Sequence, residues 1–526
     1  MSHRTLSPGP TSRPLLIALI ISGVALGGCP GGNGNIGDEC RSNGECDATL
    51  QCGQGVCVPR CARAPECGDG YSCDSKGLCH LATGQPGDVC TSEVDCAPGL
   101  SCQLDGTATD AARHLLASCA AQYDARPAGS ECVLDADCRN GTCALGHCLD
   151  LCDETRDCGS GTACMDIPRV EVVDTTFRGC VQAKGNIVWS IPPATSNVLL
   201  PVPSGARFAE LVLSVDDLVQ KVGAQRLISP SGRLLYTRPC EIQGGGCDPD
   251  RDYYANLVRH EAQLGQSVIT LPSTPKAPLE TGIYRIQVSS FRPNGTAGSA
   301  IPHVTAIVRV DAPTVLDLHF HFLDLDAHPC EAGFGGARLD ARAAQAGTLF
   351  QNDFVGELQT IFAHAGIALG SIDYVDVLDH PDLDGLDVAD AGSLLALGES
   401  PVGINVFFVR TLSPVGLQAF GPNPGPAGIG KTRQSGIIVG VDTLCYRSWT
   451  QLARLTAHEL ARYMGLHHNV ELGTYLAGTP PAQQHWADNI DDSDESSNNL
   501  MYFSEIGGIE LSPGQREILT RSGVLR

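Results

Sequence analysis

The chain reads as a multidomain protein: small disulfide-rich repeats, then a β-sandwich, then an α/β domain with a mixed sheet and one long amphipathic helix. Three observations predict that order. Twenty of the 25 cysteines fall in five groups of four between residues 37 and 183. Apolar residues then alternate with period two over 184–311, the pattern of half-buried strands. Over 312–526, short apolar runs are interleaved with segments of helical periodicity. A length of 526 residues agrees, because single hydrophobic cores stop growing well below it.

The N-terminus reads as an export signal. His3, Arg4 and Arg13 make a mildly positive start, and Leu15 to Leu26 is largely apolar. That run is too short to span a bilayer but suits a signal peptide. Leu26-Gly27-Gly28-Cys29 resembles a bacterial lipobox. The resemblance implies that residues 1–28 are a lipoprotein signal peptide, that Cys29 is lipidated, and that residues 29–36 form a glycine-rich tether. With Pro30 rather than aspartate after the cysteine, it further implies an outer-membrane, cell-surface location. A signal peptide followed by an incidental cysteine is the alternative. Setting Cys29 aside leaves 24 cysteines, an even set suited to full pairing in an oxidising compartment. A net charge of −24 argues against a nucleic-acid partner, which needs clustered Lys and Arg.

Residues 37–183 form the repeat array. In each group of four cysteines the first and second are separated by five residues, as in Cys40/Cys46, Cys61/Cys67, Cys90/Cys96, Cys132/Cys138 and Cys152/Cys158. Gly37-Asp38-Glu39-Cys40 and Gly87-Asp88-Val89-Cys90 restart one phrase. Few aliphatic residues are available, so disulfides are expected to hold these segments, with connectivity left open by spacing alone. The array resembles Dickkopf-type cysteine-rich modules of myxobacterial surface proteins. Zinc-ribbon C-x2-C pairs are absent from it, and exported thiols oxidise, which disfavours a zinc reading.

Residues 184–311 carry the strand pattern: Leu211, Leu213 and Val215; Tyr284, Ile286 and Val288; Val304, Ala306, Val308 and Val310. Such runs predict antiparallel strands with one buried face. Cys240 and Cys247 are expected to close a short glycine-rich loop. The phrase from Thr281 to Val288 is similar to sandwich domains attached to secreted peptidases; a structural or carbohydrate-binding module is equally open.

In residues 312–526 a strand is expected through Leu316, Leu318, Phe320 and Phe322. A helix follows from about Leu349, with Thr348 and Gln351 as a capping box and Gly366 as its stop. Ile404–Val409 and Gly436–Val441 read as buried strands. Ser448 and Gln451 cap a second helix, Trp449 to Met464, stopped by Gly465. Cys330 and Cys445 are expected to pair across this domain.

The chemistry-bearing segment is Ala457-His458-Glu459-Leu460-Ala461-Arg462-Tyr463-Met464-Gly465-Leu466-His467-His468. Two histidines at i and i+4 of a helix put both imidazoles on one face, where they can hold zinc. A glutamate after the first can take a proton from metal-bound water. A glycine then lets the chain turn so that a third histidine reaches the ion. Downstream, Asn499-Leu500-Met501-Tyr502 is similar to a Met-turn, and Leu511-Ser512-Pro513-Gly514-Gln515 to the start of a terminal helix. Together these resemble the metzincin zinc metallopeptidases of the pappalysin and leishmanolysin type, over roughly 200 residues. The resemblance implies His458 and His468 as zinc ligands, Glu459 as general base, Met501 beneath the metal, and a peptide or protein as substrate.

The departure is Arg462, which stands where the family has its second histidine. A guanidinium stays protonated and offers no lone pair. Losing one of three ligands costs roughly 3–5 kcal/mol of zinc binding. A cation about 4 Å from the metal adds up to roughly 8 kcal/mol of repulsion at an effective dielectric near 20, less if the side chain swings aside. Glu459 and Arg462 are i, i+3 neighbours that can pair, so the guanidinium can replace the metal as the cation of the site. Zinc held by His458, His468 and a substitute ligand is the competing arrangement. His485 and Asp488 are in reach by sequence, while His467 points away from its neighbour's partner. His319 and His321, on one face of a strand, are a weaker metal candidate. Calcium is a further candidate cofactor, at Asp379, Asp382, Asp384 and Asp387 or at Asp491, Asp492, Asp494 and Glu495; solvated acidic loops are the plain reading. The functional expectation is a surface lipoprotein whose peptidase-like domain is impaired by Arg462. The alternatives are a non-catalytic peptide- or matrix-binding adhesion protein, and an array that functions while the last domain is scaffold.

Overall fold

The computed structural model describes residues 35–36, 38–53, 56–62, 64–67, 71–73, 78–111, 113–169, 175–191, 197–239, 249–323, 325, 330, 338–414, 416–472, 484–486, 488–494, 496–503 and 508–526. Cys29, Cys240 and Cys247 lie outside these residues, as does the apolar leader. The chain divides into two compact units, residues 1–61 with 74–80 and residues 62–73 with 81–526. Among the described residues no helix is long and apolar enough to cross a membrane.

The cysteine groups share one construction. Cysteines one and three pair, as do two and four: Cys40–Cys52 and Cys46–Cys57, Cys90–Cys102 and Cys96–Cys119, Cys132–Cys143 and Cys138–Cys148, Cys152–Cys164 and Cys158–Cys180. The second group, Cys61, Cys67, Cys73 and Cys79, is disulfide-bonded as well. In every group an acidic residue stands directly before the second cysteine, and its carboxylate caps a tight turn. Asp95 accepts from the Thr91 and Ser92 amides at 2.8 and 3.0 Å, and Asp137 from those of Val133 and Leu134, both at 2.9 Å. Glu45, Glu66 and Asp157 do the same for Arg41, Ala62 and Asp153. A carboxylate that closes the turn satisfies amides no helix or sheet would satisfy. The later groups are not held by sulfur alone. Leu115, Leu149, Leu151, Ile167 and Phe177 join one hydrophobic core with the sandwich.

Two antiparallel sheets follow. We label β1 Asn186–Ile191, β2 Asn197–Val202, β3 Phe208–Ser214, β4 Lys221–Ile228, β5 Leu234–Thr237, α1 Pro249–Ala255, β6 Gln266–Leu271, β7 Gly282–Phe291 and β8 His303–Arg309. One sheet has the order β1-β8-β3-β6, the other β2-β7-β4-β5. Ala209, Leu211 and Leu213 of β3 point into the shared core. One buried face was expected, but the first sheet is buried on both. Val212, Val268 and Ile307 pack outward against Ile429 of the last domain. The reason is a second layer of protein on that face. Arg309 donates to the Gly523 carbonyl at 2.9 Å, and Gln434 to the Gln266 carbonyl at 2.8 Å.

The last domain is built on β9 Val315–Leu323, β10 Ala368–Val377, β11 Ile404–Val409, β12 Ala419–Phe420 and β13 Ile437–Gly440, in the order β10-β9-β11-β13-β12. All neighbours are parallel except β12 with β13. Its helices are α2 Ala341–Ala346, α3 Gly356–His364, α4 Ala391–Leu395, α5 Trp449–Tyr463 and α6 Pro513–Leu519. Period-two burial places Leu316, Leu318, Phe320 and Phe322 on the face that α3 and α5 cover. Cys330 and Cys445 are paired.

The first helix differs from expectation. A separate short helix, α2, precedes it, capped by Asp340, which accepts the Ala343 amide at 2.6 Å, and ended by extended Gly347. The expected helix begins at Thr348, close to the expected Leu349. Thr348 and Gln351 form no box. Leu349 is already helical, Phe350–Val355 is a π-helical segment running into α3, and the Gln351 side-chain amide donates to the Ala344 carbonyl and the Tyr374 hydroxyl. The π segment brings Phe350 and Phe354 together against Phe320 and Phe408.

Phe320 is fully buried and meets the rings of Phe350, Phe354, Tyr374 and Phe408 edge-on at 5.5–5.9 Å. Phe320→Ala should lower the stability of this domain by about 3–5 kcal/mol, read as an earlier denaturant midpoint. A midpoint within error of the parent would contradict this packing.

Candidate functional site

Helix α5 carries the site. Ser448 and Gln451 form the expected capping box, the serine hydroxyl accepting at 3.3 Å and the glutamine side chain at 3.0 Å. Leu452, Ala453, Leu460 and Ala461 lie fully buried against the sheet. The helix ends as the chain turns at Gly465, whose φ of +104° is a conformation that side chains disfavour. Leu466, His467 and His468 then run back beside the helix.

The turn brings His468 to His458. Their Nε2 atoms are 3.1 Å apart. His458 donates through Nδ1 to the Leu500 carbonyl at 2.7 Å, so its Nε2 carries the lone pair. Burial pushes the His458 imidazole well below the usual histidine range; His468 and Arg462 push the same way, and the Leu500 hydrogen bond opposes. Met501 is fully buried in the same core, its amide donating to Asn499 Oδ1 at 2.9 Å, while its carbonyl accepts from the Asn469 amide at 3.1 Å. The segment with the Met-turn resemblance thus touches the first histidine through the carbonyl of Leu500.

Arg462 sits one helical turn beyond His458. Its Nη1 lies 3.4 and 3.5 Å from the two carboxylate oxygens of Glu459, whose side chain is almost fully buried. The pair expected from i, i+3 spacing is present at its loose limit.

Two imidazoles at this spacing fit a shared ion. At metal–nitrogen distances of about 2.05 Å, a 3.1 Å separation corresponds to an angle of about 98°, near the tetrahedral value. The third donor is what fails. Among the described residues, clusters of three or more His, Cys, Asp or Glu donor atoms within 4.8 Å of one another consist of cysteines alone. Asp488 is turned to Ser493 at 2.6 Å and Gln515 at 3.3 Å. The His485 side chain lies outside the described residues. His467 points away as expected, its Nδ1 3.2 Å from the Asn423 amide. Among the described residues, two imidazoles and a guanidinium do not make the three-ligand site that catalytic zinc needs.

The sequence left several neighbours of the site unnoticed. The loop from Gly421 to Gly428 crosses α5 closely: a Cβ at Gly425 would overlap the Tyr463 ring at 2.0–2.4 Å, so glycine is required there. Tyr463 donates to the Pro426 carbonyl at 2.8 Å. Glu210 of β3, 1% exposed, accepts the Ala427 amide at 2.7 Å and so ties this loop to the sandwich. The one available signal was a glutamate inside the apolar run Phe208-Ala209-Glu210-Leu211-Val212. Burial pushes the Glu210 carboxyl well above the usual range, the Ala427 amide opposing.

The weaker candidates do not converge. His319 lies 2.9 Å from Asp373 and 2.8 Å from the Val402 carbonyl, and His321 3.0 Å from Asn405. Asp384 pairs with Arg410, and Asp387 caps Ala389. Asp491 pairs with Lys276, Asp492 accepts from Ser512 and Gly514, and Asp494 accepts the Ser496 amide. Each of these acids is used singly, and no contact brings Asp379 or Asp382 to them among the described residues; Glu495 lies outside the described residues.

No protein-family model matches the chain, and no curated protein matches it. Solved structures with partial likeness include a chaperone–substrate complex (10% identity, 45% of this chain and 36% of that one, TM-score 0.23). Others are a Bacillus subtilis protein, YXIM (7% identity, 42% and 49%, TM-score 0.12), and infectious bursal disease virus strain Gt (14% identity, 28% and 38%, TM-score 0.12). The chain spans less than half the length of each, and no shared fold follows from such scores.

Glu210 and buried His260 give opposite pH dependences. A raised carboxyl keeps its proton in the native state after the unfolded chain has released it, so stability is lost as pH rises above about 4.5. His260, pushed down to about 4 by burial, stays neutral while the unfolded chain takes a proton below about 6.5, so stability is lost as pH falls from there toward 4. Glu210→Gln keeps an acceptor for Ala427 without the charge. It should melt above the parent by a margin that widens from pH 5 to pH 8, by at most about 1.4 kcal/mol per pH unit. A pH-independent margin in thermal melts would refute the assignment.

Proposed function

We propose that residues 312–526 are a metzincin-like peptidase domain whose catalytic centre has been retired, and that the protein serves as a lipid-anchored surface protein binding peptides or protein matrix. The observation that carries this reading is the pairing of Arg462 with Glu459, beside two imidazoles whose Nε2 atoms face each other at 3.1 Å. The residue that would take the proton from water is engaged by a fixed cation, and the seat of the middle ligand holds no electron pair. The sheet order, the capped helix, the turn at Gly465 and the contact of Leu500 with His458 support a peptidase-derived framework. Fold and activity are separate matters, and it is the site that argues against turnover. The lipobox-like leader and the even set of remaining cysteines support export and anchoring through Cys29 at the outer membrane.

A second reading is zinc held weakly by His458 and His468 with water completing the shell; their spacing favours it.

Zinc content separates the two. The purified full chain, dialysed against zinc and then buffer, should carry far less than one zinc per molecule by elemental analysis and leave an unfolded protein substrate uncut. Arg462→His should tighten zinc binding by roughly 3–5 kcal/mol, a factor of about 10²–10⁴, and bring it to one per chain. Stoichiometric zinc in the parent, with cleavage lost on Glu459→Gln, would sink the proposal.

A further inference from the structure

The sheet of the last domain has one long open edge. β10 pairs with β9 alone, in parallel register, and among the described residues no strand lies on its outer side. The strand alternates without a buried face: Asp373, Val375 and Asp376 are exposed, and Leu378 and Asp379 just beyond it are too. A cleft of about 900 Å³ straddles this edge. Ile372 and Tyr374 line it from the face covered by α3, and Asp373 and Val375 from the face shared with His319 and His321. None of its lining residues belongs to the site on α5, so the chemistry of this edge is independent of the proposed function.

We infer that the β10 edge is a docking strand for an extended, basic segment of another protein, which joins the sheet as an added strand. Three features carry this. An open edge offers a row of backbone donors and acceptors, the usual basis of strand addition. The cleft leaves room for partner side chains on both faces and offers apolar contacts, with Val375 44% and Leu378 62% exposed. Charge then selects the occupant. The cleft holds Asp373, Asp376, Asp379 and Glu399. His319 faces Asp373 and the Val402 carbonyl, His321 the Asn405 side chain, and Lys431 pairs with Glu399 at 3.0 Å, while His380 also lines the cleft. Asp376 and Asp379 are left to address a newcomer, on a chain of net charge −24. A second copy would set like carboxylates across from one another, which is destabilising. The same acids that turn a copy away attract a strand bearing Lys or Arg.

The test uses the purified full chain and three end-capped heptapeptides: alternating Lys and Val, alternating Glu and Val, and the Lys–Val peptide N-methylated at alternate residues. Calorimetric titration should give saturable one-to-one binding of the first. The second should not bind, and N-methylation should weaken binding by about tenfold or more, because the added strand loses its backbone bonds. Asp379→Lys should weaken the Lys–Val peptide by about two- to fivefold per charge removed, and further for the reversal. Asp376→Lys should act alike, but Asp376 also accepts the Ala341 amide, so a thermal melt accompanies it and Asp379→Lys decides if the fold is disturbed. Absence of saturable binding, equal affinity of the N-methylated peptide, or an unchanged affinity in Asp379→Lys overturns the inference. So does a peptide-free dimer that buries β10, which would assign the edge to a second copy.

Discussion

The Arg462 guanidinium stands one helical turn from His458 and 3.4 Å from the Glu459 carboxylate, and this contact is the centre of the site on α5. Glu459 sits almost wholly buried beside Arg462, with the guanidinium itself partly covered. Removing either partner would leave a charge poorly solvated, so the pair is held in place by what its loss would cost rather than by a large net gain. The imidazoles adapt to this cation. His458 and His467 are both driven toward the neutral form, burial first and neighbouring positive groups next.

The second organising feature is the sheet β1-β8-β3-β6, which has protein on both sides. Its inner face completes the sandwich core and its outer face carries Glu210, Val212 and Arg309 against the last domain. The Gly421–Gly428 loop is held between Glu210 and Tyr463, so the surroundings of α5 are set partly by a strand some 250 residues earlier in the chain. The two domains therefore share an interface of buried polar bonds and apolar contacts, and the sandwich is a structural partner of the helix that carries the motif. In the same way the later cysteine groups lean on the sandwich core through Leu151, Ile167 and Phe177, so sulfur and apolar packing divide the work.

Much of the framework was legible residue by residue. Period-two runs gave β3, β7, β8 and β9, because a buried strand face must alternate. Ser448 with Gln451 marked the start of α5, because orphan amides need acceptors within three residues. The Ser512–Gln515 box that starts α6 emerged only in the structure, that helix being expected from the resemblance of residues 511–515. Thr348 with Gln351 fit the same local rule and failed. Thr348 is itself already helical after the extended Gly347, and the Gln351 side-chain amide found other partners in Ala344 and Tyr374. Of the site, His458, Glu459, Arg462 and His468 were visible through the motif resemblance; Leu500, Asn423 and Glu210 were not, since each meets the site through a contact between residues distant in the chain.

The amino-acid order by itself determined the local chemistry: which residues could donate a lone pair, which could only carry charge, where turns and caps fell, and how the cysteines were grouped. Those properties depend on side-chain type and on neighbours a few positions away. Tertiary structure alone decided that one sandwich sheet would be covered twice, that cysteines one and three of a group would pair, that a proline- and glycine-rich loop would lie over Tyr463, and that β10 would have no further strand beside it among the described residues. Each of these is set by which distant surfaces exclude water from one another, and burial of that kind has no short-range signature along a chain.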